Sequence, residues 1–249
     1  MAILKNSFEQ EAIRQGGKIL AKILGELSQE AKESVSTLAL ENMAERMISE
    51  ANARPSFLNY GGYPAILCTS INEEIVHVIP TQEKILKNGD LLSIDLGIEY
   101  DGFFTDSAIT VPVGIVDKDA QRLIDITKEA LSIGIAQANV GGRIGDIGFA
   151  IQEYVEKNNF SVIRDLVGHG TGKKVHEAPQ VPNFGKKGSG DKIVEGMVLA
   201  IEPMVSLGGY EIKKSNDGYG FETKDGTLAA HFEHTVLIGK NSAEIITQL

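Results

Sequence analysis

The sequence predicts an α+β fold with two pseudo-symmetric halves, on the strength of three observations. Apolar residues recur at three- and four-residue steps in two segments near the start of the chain and in two more beyond its middle, a period typical of amphipathic helices. Short runs rich in Ile, Leu, Val, Thr and Phe follow each pair, as strands do. Because the order of two helices and then a sheet occurs twice, we expect one domain over residues 1–249, with halves at about 1–113 and 114–249.

Helix boundaries follow from the apolar period and from residues that oppose helical geometry. The predicted helices are 8–27 and 38–51 in the first half, and 118–138 and 145–157 in the second. The pair Gly16-Gly17 is the one weak point of the first helix, since glycine lowers helix propensity. The second helix ends before Pro55, because the residue that precedes a proline is pushed out of helical geometry.

Strands are predicted at 63–113 and again from Phe160 onward. Asp101-Gly102 separates two apolar runs of the first region, which is typical of a two-residue hairpin turn. In the second region the strand-like runs are 197–201, 219–223 and 230–238. Period-two alternation in the last run places His231, Glu233 and Thr235 on one face of a strand.

Composition and charge exclude several classes of protein. Hydrophobic residues make up 42% and charged residues 23%, the balance of a globular chain. A formal net charge of −10 argues against binding to DNA or to an anionic membrane through bulk charge. Charged residues interrupt the apolar positions of residues 1–20, so no signal peptide is expected. The single cysteine, Cys68, forms no internal disulfide, and we expect a cytoplasmic protein.

Four acidic residues stand in strand-like apolar surroundings. Asp95 lies inside the apolar run 91–96, where a buried carboxylate is costly unless it is paired or bound to a metal. Asp106 follows the predicted hairpin turn, and the hairpin can bring the two acids together across neighbouring strands. Glu202 ends the run 197–201, and Glu233 lies within 230–238. For Asp106 alone, a solvated position at a strand end is the alternative.

These acids and one histidine form a candidate metal site. His169 lies among the glycines of 168–172 and adds a nitrogen donor to four carboxylates, without sulfur. Such a set favours Mn, Fe, Co or Zn over Mg alone. Five ligands exceed one tetrahedral site and suit two divalent cations that share bridging carboxylates. For any one of the five histidines, a half-buried, hydrogen-bonded ring is the alternative.

The motifs around these residues resemble those of the type I methionine aminopeptidases, which have the pita-bread fold. The matching segments are 68–73, 77–80, 89–95, 101–107, 168–172, 176–182, 195–203 and 233–235. They follow one another along nearly the whole chain. The resemblance implies a pseudo-two-fold fold in which two helix pairs cover a central antiparallel sheet.

The resemblance also implies roles for individual residues. It makes Asp95, Asp106, His169, Glu202 and Glu233 the ligands of two metals, with Asp106 and Glu233 bridging them. It makes His77 and His176 non-ligand histidines of the site, and it assigns Tyr60, Tyr63, Cys68 and Tyr219 to the methionine pocket. Val175 departs from the family pattern, which often has an aromatic residue there, so the resemblance does not fix the shape of the pocket at this point.

The implied activity is removal of the N-terminal methionine of nascent proteins when the second residue is small. In the implied mechanism, a metal-bridging hydroxide attacks the scissile carbonyl, Glu202 shuttles the proton, and His176 and His77 stabilise the tetrahedral intermediate. The implied enzyme is a monomer, and docking on the ribosome is left open.

Two alternatives have the same fold. A non-catalytic relative that binds peptide or RNA would be expected to lose ligands. A proline-directed peptidase normally carries a large extra amino-terminal domain, for which residues 1–60 are too few.

Overall fold

Each half of the chain begins with a pair of helices, as the apolar period predicts. The computed structural model describes residues 3, 4 and 6–248, so residues 1, 2, 5 and 249 of the predicted domain lie outside the described part. The α-helices are α1 (Ser7–Glu30), α2 (Thr37–Glu50), α3 (Lys118–Gln137) and α4 (Ile144–Lys157). All four predicted helices are confirmed, with ends that shift by three residues or fewer.

Side chains cap the helices, and one glycine sets how closely α1 packs. The side chains of Asn6, Ser36 and Asp117 accept hydrogen bonds from backbone amides in the first turns of α1, α2 and α3, which have no partner within the helix. A Cβ atom on Gly17 would lie 2.1 Å from the carbonyl oxygen of Ile246. The predicted weak point of α1 is therefore a place of close approach to the carboxyl-terminal segment.

Most strands belong to one antiparallel sheet that draws on both halves. The strands are β1 (Arg54–Pro55), β2 (Leu67–Ile71), β3 (Glu74–Val76), β4 (Leu91–Tyr100), β5 (Phe103–Pro112), β6 (Ser161–Val162), β7 (Gly168–Gly170), β8 (Glu177–Val181), β9 (Val198–Ile201), β10 (Met204–Ser206), β11 (Ile212–Lys214), β12 (Phe221–Thr223), β13 (Ala229–His231), β14 (Glu233–Ile238) and β15 (Ala243–Ile245). The nine-stranded central sheet has the order β1-β4-β5-β14-β9-β7-β8, with β2 also paired to β4 and β15 to β14. Strands β13-β10-β6 and β11-β12-β3 form two smaller sheets. The pairing of β5 with β14 joins the two halves.

The predicted hairpin is the turn between β4 and β5. Asp101 and Gly102 have φ values of 49° and 82°, and two successive positive φ values are typical of a type I′ turn. The register pairs Asp95 with Ala108 and Asp106 with Gly97. The two acids are therefore diagonal neighbours on one face of adjacent strands, which confirms that the hairpin brings them together.

The prediction of a single strand over 230–238 is wrong. The chain leaves the small sheet after β13 and enters the central sheet at β14, with Phe232 between them. The adjacent segment is interrupted at the same level, between β9 and β10. Pro203 lies there, and it has no amide hydrogen to donate to a neighbouring strand. The amide of Phe232 donates instead to the carbonyl of Pro203. Glu202 and Glu233 both lie at this break.

The helix pairs pack on different parts of the sheet. Helices α1 and α2 pack on strands of the first half, while α3 and α4 pack mainly on strands of the second. The side chains between them are mostly Leu, Ile, Val and Ala. The predicted α+β class, with a central antiparallel sheet and two helix pairs, is confirmed. Among the described residues, no helix combines the length and the apolar character needed to cross a bilayer.

Candidate metal centre

The structure brings every predicted site residue into one pocket. Its lining includes the five predicted ligands, the two further histidines and the four predicted pocket residues: Asp95, Asp106, His169, Glu202, Glu233, His77, His176, Tyr60, Tyr63, Cys68 and Tyr219. Phe57 and Gly61 line it as well, and sequence reasoning missed both. Residues that are widely separated in the sequence therefore share one site.

The five predicted ligands come from five neighbouring strands of the central sheet or directly follow one of them. Asp95 lies on β4, Asp106 on β5, Glu233 on β14 and His169 on β7, and Glu202 directly follows β9. In the sheet these strands stand side by side in the order β4-β5-β14-β9-β7. Because adjacent strands are about 4.8 Å apart, this order lines up the donors across the sheet.

The donors divide into overlapping groups. The groups whose ligand atoms all lie within 4.8 Å of one another are Asp95 with Asp106 and Glu233, His169 with Glu202 and Glu233, and Asp106 with His169 and His176. The Nε2 atom of His169 is 3.5 Å from Oε1 of Glu202 and 3.9 Å from Oδ2 of Asp106. Asp106, His169 and Glu233 each belong to two groups, and of these three only the carboxylates have two oxygens with which to contact two cations.

Burial keeps protons on this acidic cluster. Removal from water raises the pKa of Asp95, Glu202 and Glu233 well above its ordinary range, and repulsion from neighbouring carboxylates raises it further. Burial also raises the pKa of Asp106, to about 7. The salt bridges that the described residues form with these acids involve histidine, not Lys or Arg. The cluster is therefore neutralised either by protons or by bound cations.

The unpaired atoms of the cluster fit divalent cations. Oδ1 of Asp95, Oδ1 of Asp106 and Oε1 of Glu233 are buried and have no hydrogen-bond partner among the described residues. His169 Nδ1 is 2.9 Å from the carbonyl oxygen of Gly170, and a carbonyl only accepts, so Nδ1 carries the proton. Burial lowers the pKa of His169 to about 3. The ring is therefore neutral at pH 7, and its unprotonated Nε2 faces the carboxylates, as metal-ligating histidines require.

Metal binding is expected to stabilise the protein more at neutral than at acidic pH. The pKa of Asp106 rises from its ordinary 3.8 to about 7 on folding, so the metal-free protein holds a proton that the unfolded chain releases. The free energy of unfolding of the metal-free protein therefore falls as pH rises from about 4 to about 7. A cation displaces these protons and therefore binds best at pH values at which the carboxyl groups have already lost them. At a hundredfold excess over its Kd near pH 7.5, Mn²⁺ should raise Tm by roughly 5–10 °C.

Differential scanning fluorimetry of chelator-treated protein, with and without Mn²⁺ at about pH 7.5 and about pH 5, measures this effect. The shift should be much smaller at the lower pH. An equal shift at both pH values would show that the acidic cluster is not where Mn²⁺ binds.

Two histidines stand beside the acidic cluster. His176 Nδ1 is 3.1 Å from the hydroxyl of Tyr60. The ring centroids of His176 and His169 are 4.1 Å apart. Desolvation lowers the pKa of His176, and desolvation together with the nearby His176 lowers that of His77 to about 4. Both rings are neutral at pH 7. His77 has a left-handed backbone, with φ at 61°, which no residue pattern signals.

Aromatic rings form the apolar wall of the pocket. The Tyr63 hydroxyl donates to the carbonyl of Leu67 at 3.0 Å, and the Tyr219 hydroxyl donates to the carbonyl of Gly62 at 2.9 Å. The rings of Tyr63 and Tyr219 meet edge to face, 5.7 Å apart. These contacts fix both rings at the pocket. Val175 is buried in one cluster with Phe57, Tyr63 and Cys68, so it packs with the residues of this wall.

Asp217 holds the segment that carries Tyr219, and sequence reasoning missed it. Its carboxylate accepts hydrogen bonds from the Ser215 hydroxyl and from the amides of Ile79, Tyr219 and Gly220. Burial opposes ionisation of Asp217, but these bonds outweigh it and lower the pKa to about 2. Residues 216–218 (Asn-Asp-Gly) form a turn signal, which could have indicated the acid.

The chain is similar over its whole length to proteins named methionine aminopeptidase. The model of metallopeptidase family M24 matches residues 11–240. The chain is 48% identical to a methionine aminopeptidase of Clostridium acetobutylicum, over 99% of each chain. It is 43% identical to methionine aminopeptidase 1 of Bacillus subtilis, over 100% of each chain.

Solved structures show the same similarity. A crystal structure of methionine aminopeptidase from Thermotoga maritima matches with a TM-score of 0.98 and 41% identity, over 100% of each chain. A prolidase from Pyrococcus furiosus matches with a TM-score of 0.78 and 22% identity, over 100% of this chain and 66% of the prolidase. The prolidase shares the fold, and at this identity nothing more follows from it.

Proposed function

The chain belongs to metallopeptidase family M24, and from this premise we propose that it is a methionine aminopeptidase, a metal-dependent hydrolase that removes the N-terminal methionine from polypeptides. Its fold is the pita-bread fold. One observation carries the proposal: four carboxyl groups and one imidazole from adjacent strands converge in a pocket that also has an apolar aromatic wall. Such a site combines hydrolytic chemistry with a place for one long apolar side chain.

We propose that the site holds two divalent cations. Asp95, Asp106 and Glu233 would hold one, and His169 and Glu202 would hold the other together with the shared carboxylates of Asp106 and Glu233. Oxygen and imidazole donors suit Mn, Fe, Co or Zn. When bound, the cations activate a water molecule and polarise the scissile carbonyl. The carboxylate oxygens without a hydrogen-bond partner among the described residues and the unprotonated Nε2 of His169 support this assignment.

The chain's own residues move protons and stabilise charge. Glu202 accepts the proton of the attacking water and returns it to the leaving amine, and burial beside Asp106 and Asp95 raises its pKa, which favours uptake of that proton. With the Tyr60 hydroxyl as donor to Nδ1 of His176, 3.1 Å away, Nε2 of that ring would keep its hydrogen and donate it to the developing oxyanion. His77 contacts the tetrahedral species or the departing amide nitrogen.

Selectivity for methionine comes from the pocket wall. The thioether side chain is unbranched and polarizable, and it packs well on aromatic rings and on a thiol. Tyr63 and Cys68 are buried and offer such surfaces, and Tyr219 and Tyr60 complete them. The natural substrates are nascent proteins with a small second residue. All the residues that line the pocket belong to one chain, so a monomer suffices for activity. The enzyme acts in the cytoplasm, on polypeptides that emerge from the ribosome.

Release of methionine from the peptide Met-Ala-Ser tests the proposal. Mn²⁺-loaded protein should cleave it, chelator-treated protein should not, and added Mn²⁺ should restore cleavage. N-acetylated Met-Ala-Ser is the matched control and should stay intact. A preference of roughly a hundredfold is expected over Xaa-Pro peptides. Faster cleavage of Xaa-Pro peptides would indicate a proline-directed peptidase, and cleavage of neither peptide would indicate a non-catalytic binding protein.

A further inference from the structure

His231 is a buried histidine that the proposed mechanism does not use. Its side chain is almost inaccessible, with 1% of the residue exposed. Neither ring nitrogen has a hydrogen-bond partner among the described residues. Buried polar side-chain atoms nearly always have a partner in native proteins, so an orphaned imidazole requires an explanation.

The nearest acid gives that explanation. Nε2 of His231 lies 3.8 Å from Oε2 of Glu202, while the other oxygen, Oε1, lies 3.5 Å from Nε2 of His169. The Glu202 carboxylate therefore stands between two imidazoles. His169 belongs to the ligand groups of the metal centre, and His231 belongs to none of them.

The backbone holds His231 firmly against this acid. The Thr110 hydroxyl accepts a hydrogen bond from the amide of His231 and donates one to its carbonyl, each at 2.8 Å. On the other side of β13, His231 pairs with Met204 of β10. The Glu202 carbonyl in turn accepts a hydrogen bond from the Asn183 side chain at 2.9 Å. Both backbones are fixed, so only side-chain torsions set the distance between the imidazole and the carboxylate.

We propose that His231 is a positioning residue for Glu202, whose Oε2 accepts a hydrogen bond from Nε2–H of His231 in the metal-loaded enzyme. The present separation of 3.8 Å is about 1 Å longer than such a bond, so the proposal requires rotations of the two side chains that shorten it when the metal binds. With Oε2 held by His231, Oε1 is left to face His169 and the metal. The inference rests on the metal centre of the proposed function.

An outer partner of this kind sets the orientation and the basicity of a ligating carboxylate. A cation bound at Glu202 therefore depends on a ring that does not touch it. Packing alone offers a different explanation, in which the imidazole only fills space. An apolar side chain of similar size would then serve equally well, and this difference can be measured.

The Mn²⁺ affinities of the variants His231→Leu and His231→Gln and of wild type can be compared by isothermal titration calorimetry of the metal-free proteins. The leucine fills the space without a donor, and its Mn²⁺ affinity should fall by about 10–100-fold. The glutamine amide offers an N–H at a similar reach, and it should restore affinity to within about threefold of wild type. Thermal melting monitored by circular dichroism confirms that each variant is folded.

His234→Leu and His234→Gln are the matched controls. His234 is three residues along the chain, and its Nδ1 is 2.9 Å from the Thr247 hydroxyl, away from the pocket lining. Both controls should bind Mn²⁺ as wild type does. Wild-type affinity in His231→Leu, or a glutamine variant as weak as the leucine variant, would overturn the proposal.

A second measurement covers the case in which His231→Leu does not fold. Long-range ¹H–¹⁵N spectra of the histidine rings in Zn²⁺-loaded wild type report which nitrogen of His231 carries the hydrogen. The Nε2–H tautomer is expected, and the Nδ1–H tautomer would refute the bond to Glu202. Neither measurement requires peptide cleavage, so failure of the Met-Ala-Ser assay with intact His231 effects would remove the proposed function and leave this inference standing.

Discussion

The variant Glu202→Gln is expected to release methionine from Met-Ala-Ser about 10²–10⁴-fold more slowly than wild type, mainly through kcat. The amide has nearly the shape of the carboxylate but cannot accept and return a proton at neutral pH. Burial and the neighbouring acids raise the pKa of Glu202, so the native carboxyl takes up a proton more readily than an exposed glutamate does. Steady-state kinetics with saturating Mn²⁺ measure kcat and KM separately.

Glu195→Gln is the control for this variant, since Glu195 is an exposed acid on the segment that leads into β9. It should retain wild-type kinetics. A Glu202→Gln enzyme whose kcat stays within tenfold of wild type would remove Glu202 from proton transfer. Titration of the same variant with Mn²⁺ shows how much of any loss comes from weaker metal binding.

Local features of the fold could be predicted because they depend on nearby residues. The helix period is visible in the sequence, and the Asp101-Gly102 turn alone fixes which residues of β4 and β5 face each other. The proximity of Asp95 and Asp106 follows from that turn. The low helix propensity of glycine, by contrast, marks Gly17 as a weakness of α1. In the structure, the absence of a side chain at Gly17 lets α1 pack closely against Ile246.

The convergence of the donors depends on long-range pairing that no local pattern encodes. Glu233 meets Asp106 because β14 pairs with β5, and His169 meets Glu202 because β7 pairs with β9. From the residues alone, a buried acid indicates that something must neutralise it but not which partners are near. The roles of His77, His176 and the tyrosines came from the family resemblance.

The strand break at Phe232 was missed for a related reason. Alternation within one segment cannot show that Pro203, on the neighbouring strand, ends the ladder at that level. The break matters to the site because it separates His231 on β13 from Glu233 on β14. His231 is therefore free to face Glu202 from the small sheet while Glu233 faces the other ligands from the central one.

The variant His176→Ala is expected to lower kcat by about 10²–10³-fold and to leave metal content nearly unchanged. Its Nε2–H would be lost as a donor to the developing oxyanion, while the five predicted ligands stay in place. Steady-state kinetics and elemental analysis of the same preparation measure the two quantities. His234→Ala is the control and should match wild type in both.

The metal measurement decides between two roles that the geometry allows for His176. The ring lies within ligand distance of Asp106 and His169, so it could also coordinate a cation. The oxyanion role requires the Tyr60 hydroxyl to donate to Nδ1, which leaves the hydrogen on Nε2 and no lone pair there for a metal, whereas the ligand role requires the hydroxyl to accept from Nδ1–H. A His176→Ala protein with full activity would end the oxyanion assignment. One that loses both activity and a metal ion would make His176 a ligand instead.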